Sequence, residues 1–245
     1  MQRVVAAEVL DGLPQDDARA MRSRRDLRRV HRAMGTRSII LRELRAMRLA
    51  RLELEPLRVL ELGAGDGSLM LGVAQALSGA WPKVALTLLD RQGLLTPTAV
   101  ASYLEVGWTA VAEVGDVLTW AASDANTLPL SAPPRWDLIV ANLFLHHFEG
   151  EQLARLMQAI ARKSDRLLAC EPRRDWLALA GSHLTGLIGA NAVTREDAVL
   201  SVHAGFTGHE LSALWPAHSE PWLIQERAAG LFSHCFCAER LGAAS

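Results

Sequence analysis

Lysine is nearly missing from this chain, cysteine is scarce, and no long apolar run occurs. Only Lys83 and Lys163 represent lysine, so arginine carries almost all of the positive charge. The three cysteines, Cys170, Cys235 and Cys237, are too few and too scattered for a disulfide framework. Cys235-x-Cys237 puts two thiols on one face of a strand but matches no four-ligand zinc spacing. They are expected to be buried and reduced. No stretch approaches the roughly 18 consecutive apolar residues of a membrane span. No secretory pattern follows Arg3 either, where a brief apolar stretch meets Glu8 and Asp11. A cytoplasmic protein without a membrane span is expected. The net charge of −1 gives no global pull toward nucleic acid, and no repeat or low-complexity segment is present.

What is there is a large apolar fraction and one local excess of charge. Half of the 245 residues are hydrophobic, enough for one large domain or a core with appended segments. Arginines crowd the segment between Arg19 and Arg51, including Arg22, Arg24, Arg25, Arg28, Arg29 and Arg32. Such an arm either contacts RNA phosphates or forms a solvated helix face whose long side chains cover surface.

Residues 59–67, Val-Leu-Glu-Leu-Gly-Ala-Gly-Asp-Gly, are the most informative stretch. Leu57, Val59, Leu60 and Leu62 form a short apolar run carrying one acid, Glu61; three alternating glycines and a helical pattern over 69–77 follow. Glycine lets the backbone turn sharply and approach a ligand where a Cβ would collide. The helix start behind it offers free N–H groups and a positive dipole end. Dinucleotide sites place the third glycine one residue later, where this chain has Ser68. Glu61-x-Gly63-x-Gly65-x-Gly67 instead resembles the first signature of the class I S-adenosylmethionine-dependent methyltransferases. The similarity continues downstream. The run 84–89 ends in Asp90, roughly 20 residues past the loop, where such folds keep the carboxylate for the ribose hydroxyls. The run 110–114 leads into Gly115-Asp116-Val117, and 136–142 is followed by Leu145-His146-His147-Phe148. The resemblance spans about residues 57–172.

It implies an α/β fold: a Rossmann-like, mostly parallel seven-stranded sheet with helices on both faces, an antiparallel last strand and a helical cap. The chain then divides into an N-terminal helical cap segment (1–55), a cofactor-binding core (56–172), a helical substrate-cap insertion (173–206) and a C-terminal completion of the sheet (207–245). Periodicity places strands at 58–62, 84–90, 110–114, 137–141 and 166–170, and helices at 68–77, 97–106 and 151–161. Gly35-Thr36 breaks the N-terminal helices, and 121–134 reads as a loop. Helices are expected over 173–189 and 195–204, and strands over 222–226 and 232–238. Thr194-x-x-Asp197 and Thr207-x-x-Glu210 read as capping pairs opening helices.

The implied cofactor is S-adenosylmethionine, with S-adenosylhomocysteine as product. Its expected contacts are Glu61, Gly63, Ala64, Gly65, Gly67, Asp90, Arg91, Asp116, Val117 and Asn142. Asp90 stands against a turn or capping aspartate, and Asp116 likewise. His146 and His147 follow the fourth strand and are either proton acceptors or structural, cofactor-lining residues. Arg173, Trp176 and His183 are the expected substrate contacts, within an otherwise greasy cap, and Glu171 and Arg174 are further pocket candidates. No metal is expected; zinc held by His146, His147 and Glu149 is set aside because adjacent histidines seldom converge on one ion. The resemblance points to methylation of a small, largely apolar acceptor (phenol, quinone or polyketide), on oxygen ahead of carbon. Two alternatives stay open. One is an RNA or protein methyltransferase using the arginine-rich arm, against which the chain lacks the Asn/Asp-Pro-Pro-aromatic motif after the fourth strand. The other is a catalytically silent partner, and a homodimer is compatible with any of the three.

Overall fold

The computed structural model describes residues 1–47, 55–123, 135–216 and 221–242. Seven strands form one sheet: β1 (Leu57–Leu62), β2 (Val84–Asp90), β3 (Trp108–Val114), β4 (Leu138–Asn142), β5 (Arg166–Pro172), β6 (Trp222–Ala229) and β7 (Ser233–Arg240). Their order is β3-β2-β1-β4-β5-β7-β6, parallel from β3 to β5, with β7 antiparallel to both β5 and β6. The seven-stranded expectation holds, including the antiparallel ending.

Burial explains the order. β4 and β5 are buried along their whole length, as central strands covered on both faces must be. The edge strand β6 alternates between partial cover and exposure. Within β1, Leu57 and Val59 join the core on one face, and Leu60 and Leu62 join the core on the other. The first face carries α2 (Thr36–Ala46), α3 (Ser68–Leu77) and α4 (Pro97–Glu105); the second carries α5 (Val117–Ala122) and α6 (Gly150–Lys163). The strand order reverses between β1 and β4, so a crevice opens at the carboxyl ends of these two strands.

Three more helices sit over those ends: α1 (Ala18–Met34), α7 (Trp176–His183) and α8 (Ala192–Ala204). Gly35, at φ 68°, ends α1 and starts α2, because the reversal there needs the left-handed region. A 3-10 turn, Leu184–Ile188, follows α7 directly. No helix among the described residues is long and apolar enough to cross a membrane.

Three local expectations need correction. The helix expected from 195 begins at Ala192, and its cap is Asn191, whose side chain accepts from the Thr194 N–H. Asp197 instead turns toward the N-terminal segment. Thr207 and Glu210 make half of a capping box, Thr207 N–H to Glu210 Oε2 at 3.0 Å, but only a turn and the 3-10 segment Ser212–Leu214 follow. Glu226 on β6 supplies the acceptors there, for the N–H groups of Leu211 and Ser212. The expected loop 121–134 begins inside α5, and its residues 124–134 lie outside the described residues.

Candidate active site

The glycine loop joins β1 to α3, and all three glycines have positive φ: Gly63 at 67°, Gly65 at 56° and Gly67 at 71°. A Cβ on Gly63 would lie 2.2 Å from the Phe144 ring, so that position admits only glycine on two counts. The loop is tied to the end of β2. Gly63 and Ala64 donate to Leu89 O, and the Gly65 N–H donates to Asp90 Oδ2 at 2.8 Å. Asp90 Oδ1 accepts from Gln92 N. Each Asp90 oxygen therefore keeps a second lone-pair position. The Tyr103 hydroxyl donates to Gly67 O at 2.6 Å and fixes the far end of the turn.

Glu61 is buried on the strand, and its Oε2 has no hydrogen-bond partner. Burial, reinforced by the nearby carboxylates of Asp90 and Asp66, holds its pKa well above the usual carboxylate range. Asn142, ending β4 across the crevice, likewise has a buried Oδ1 without a partner. Unsatisfied buried polar atoms are costly and mark places where a ligand completes the hydrogen bonding. A loop with three alternating glycines, an acid at the β2 end and two orphaned polar groups fit a zwitterionic nucleoside. Asp116 does a structural job: it caps α5 through Leu118 N and Thr119 N, and pairs with Arg91 at 2.9 Å. Burial opposes it, but those N–H groups and the Arg91 guanidinium hold its pKa below the ordinary value. Val117 is buried in the core beneath this turn, so its side chain is packing.

Beyond Asn142 the chain reverses through Leu143, whose φ of 49° is strained for a side-chain-bearing residue. The turn that follows hangs on one carboxylate. Glu171, fully buried at the end of β5, accepts from the N–H groups of Phe144 and Leu145 and, at 2.8 Å, from His146 Nδ1. The other ring nitrogen, His146 Nε2, lies 3.3 Å from Glu8 Oε1. Burial works against a charged imidazole, yet Glu171 and Glu8 together raise its pKa to about 9. His146 is thus an imidazolium near neutrality, and not a proton acceptor. His147 is different: burial, then the charge on His146, lowers its pKa, and its Nδ1 lies 3.5 Å from Asp11 Oδ2. It is the neutral member of the pair.

Glu8 and Asp11 come from the N-terminal segment, which the sequence reading assigned to the cap without naming either acid as a site residue. Asp197 on α8 anchors that segment, accepting from Val9 N at 2.7 Å and Leu10 N at 3.0 Å, and Ser201 donates to Glu8. No local signal could have revealed this, because 138 residues separate Glu8 from His146.

A cavity of about 350 Å³ lies between α1, α7, α8 and the 3-10 turn, floored by Leu143 and Pro172 from the β4 and β5 ends. Its walls are apolar (Leu27, Val30, Met34, Leu184, Ile188), with Glu8, Asp197 and Ser201 as the polar groups near the floor. Arg173, Trp176 and His183, expected as substrate contacts, do not line it. Trp176 is 76% exposed, Arg173 pairs with Asp175 at 2.7 Å, and His183 faces outward. The helical repeat accounts for two of them: α7 turns Ala178, Gly181 and Ser182 toward the cavity and Trp176 and His183 away, while Arg173 lies before the helix. Arg174 is buried against Glu210 and Gly205 O, and Glu149 is exposed, away from the histidines. The three cysteines are free and buried, as expected.

Neither a protein-family model nor a curated protein matches this sequence. Solved structures do. The plantazolicin methyltransferase BpumL in complex with SAH superposes with a TM-score of 0.58 at 13% identity, covering 91% of each chain. The magnesium protoporphyrin IX methyltransferase of Synechocystis PCC 6803 with bound SAM gives 0.51 at 14% identity, covering 95% of this chain and 88% of that one. An O-methyltransferase family protein from Burkholderia thailandensis gives 0.54 at 13% identity, over 94% of this chain and 62% of its own. The fold is that of the class I methyltransferases.

Proposed function

We propose that this chain transfers a methyl group from S-adenosylmethionine to a small, largely apolar acceptor held in the cavity, on oxygen ahead of carbon. The observation that carries this is the pair of buried, unpartnered groups, Glu61 Oε2 and Asn142 Oδ1, at the β1 and β4 ends that flank a loop of three positive-φ glycines and lead into the floor of an apolar cavity. Methyltransferases share this fold and are solved with the cofactor or its product.

In this reading Asp90 accepts from the ribose hydroxyls with its remaining lone pairs, and Glu61 and Asn142 receive the methionine end. Asp116 with Arg91 borders the adenine side. The cofactor, when bound, supplies an electrophilic methyl carbon on a positively charged sulfur. The chain's own contribution is alignment, worth on the order of 7–11 kcal/mol when reacting groups are held in near-attack geometry, and exclusion of water by the helices over the strand ends. His147 takes the acceptor's proton, while His146, held by Glu171 and Glu8, fixes the turn. Residues 1–55 and 173–206 act as the substrate cap.

A cavity of about 350 Å³ sits at the small end of drug-sized sites, which suits a one- or two-ring acceptor such as a phenol or quinone better than an extended polyketide. Calorimetry with S-adenosylhomocysteine, followed by labelled S-adenosylmethionine and a panel of such acceptors, tests the proposal. Micromolar or tighter binding with transfer to a phenol supports it. Absence of binding overturns it, and binding without transfer to any acceptor in cell extract would identify a silent partner. The arginine-rich arm favours the small-molecule reading, because Arg24 and Arg28 bond to Gln92 and Asp66 of the core loops. A cytoplasmic enzyme follows from this role.

A further inference from the structure

We propose that Glu8, His146 and His147 form a site for one divalent first-row transition ion of the Zn2+ or Fe2+ type, bordering the floor of the cavity. One donor atom from each residue lies within 4.8 Å of the others, and Glu8 Oε1 is 3.3 Å from His146 Nε2. Donors bound tetrahedrally at about 2.1 Å from a zinc ion stand roughly 3.4 Å apart, so this pair already has ligand spacing. Two imidazoles and one carboxylate suit zinc or iron rather than calcium or magnesium.

The surroundings support coordination as well as the donors do. His146 Nδ1 donates to Glu171, and Nε2 is the ligating nitrogen once the ion displaces the proton it shares with Glu8; a carboxylate behind a histidine is the usual outer support of a metal ligand. Glu171 is itself held by backbone N–H groups, so the ring cannot swing away. Glu8 is positioned by Ser201, and its segment by Asp197. Asp11 Oδ2 stands 3.5 Å from His147 Nδ1, as the outer partner of that ring. Three carboxylates, Glu8, Asp11 and Glu171, thus face two imidazoles. The nearby Arg3 guanidinium is directed to the backbone oxygens of His146, Phe148 and Ala204. A doubly charged ion balances that excess better than a proton does.

This site runs against the metal-free expectation from sequence, which considered Glu149 and had no means of seeing Glu8. It stands independently of methyl transfer. If methyl transfer is the function, three protein ligands leave an open position for the acceptor's oxygen, because Glu8 also lines the cavity. The ion would then make the acceptor hydroxyl more acidic, so that its proton leaves to solvent, and His147 would be a ligand instead of the proton acceptor.

The test uses the full chain stripped of metal with a chelator and titrated with Co2+, read by visible absorption, with Zn2+ as competitor. One Co2+ per chain, displaced by one Zn2+, is expected. Glu8→Gln and His147→Ala should each weaken Co2+ binding at least 100-fold, Glu171→Gln about 10–100-fold, and Glu151→Gln on exposed α6 not at all. S-adenosylhomocysteine affinity, measured on the same samples, reports the fold of each variant and keeps cofactor binding separate. Featureless Co2+ spectra in the unaltered protein, or Co2+ binding unchanged in both Glu8→Gln and His147→Ala, would overturn the site.

Discussion

Asp90 carries two duties that a single substitution separates. Its oxygens already hold the Gly65 and Gln92 N–H groups, and in the proposed function they also accept from two hydroxyls. Hydrogen bonds to a charged group are worth about 1.5–3 kcal/mol each. Asp90→Ala should therefore lower S-adenosylhomocysteine affinity roughly 100-fold or more in a calorimetric titration. Gly63→Ala is a different kind of test, since its Cβ would enter the Phe144 ring at a positive φ. Backbone strain of about 1–2 kcal/mol plus overpacking of about 1–3 kcal/mol should appear as lost stability in urea unfolding. A loss of only about 1–2 kcal/mol, the backbone strain alone, would mean that Phe144 moves freely. Both glycine and acid were legible in the sequence, because a tight loop after a strand restricts which residues its backbone admits. The roles of Glu8 and Glu171 were not, because a carboxylate's role depends on what lies opposite it.

At the scale of elements, α1 is the piece that closes the site. It is joined to α8 through Asp26, a buried carboxylate that accepts from Asn191 N and from Arg29, and through Ser23, which donates to Asn191 Oδ1. It reaches the cofactor loops through Arg24–Gln92 and Arg28–Asp66. The Arg28–Asp66 contact is exposed at both ends and is worth at most about 1 kcal/mol. The Asp26 contacts are sheltered, so Asp26→Ala should cost about 1–3 kcal/mol. That cost should appear as faster amide exchange over residues 18–34 while β4 and β5 stay protected. Equal loosening of the sheet would refute the view of α1 as a separately anchored cover. Helical spacing gave α1 and α2 away in the sequence, and Gly35 their break. Which face of α7 meets the cavity could not be read, because its apolar residues run all round the helix and periodicity then chooses no side.

For the whole molecule, the cap helices α1, α7 and α8 close over the β4 and β5 ends and enclose a cavity whose volume sets the acceptor's size. Ala198→Trp should fill it and remove methyl transfer while S-adenosylhomocysteine affinity stays within about twofold, since the glycine loop is untouched. Part of the stability against acid is set elsewhere, on the edge strand β6. Glu226 accepts from Leu211, Ser212 and His234, and although burial opposes it, these donors hold its pKa below the ordinary 4.5. Its stabilisation is full above about that ordinary value and is lost as pH falls through the depressed folded one. Glu226→Gln should thus lower the melting temperature at pH 7, and the gap from the unaltered protein should narrow toward pH 3. A gap independent of pH would mean that shape rather than charge holds the 3-10 turn. The sequence by itself determined the alternating strands and helices, the glycine loop and the acid behind it. Those follow from local periodicity and from backbone angles that few residues tolerate. The tertiary structure alone decided that the N-terminal acids meet the histidines after β4, and which side chains wall the cavity. Such contacts join distant segments, and nothing in either segment's own pattern names its partner.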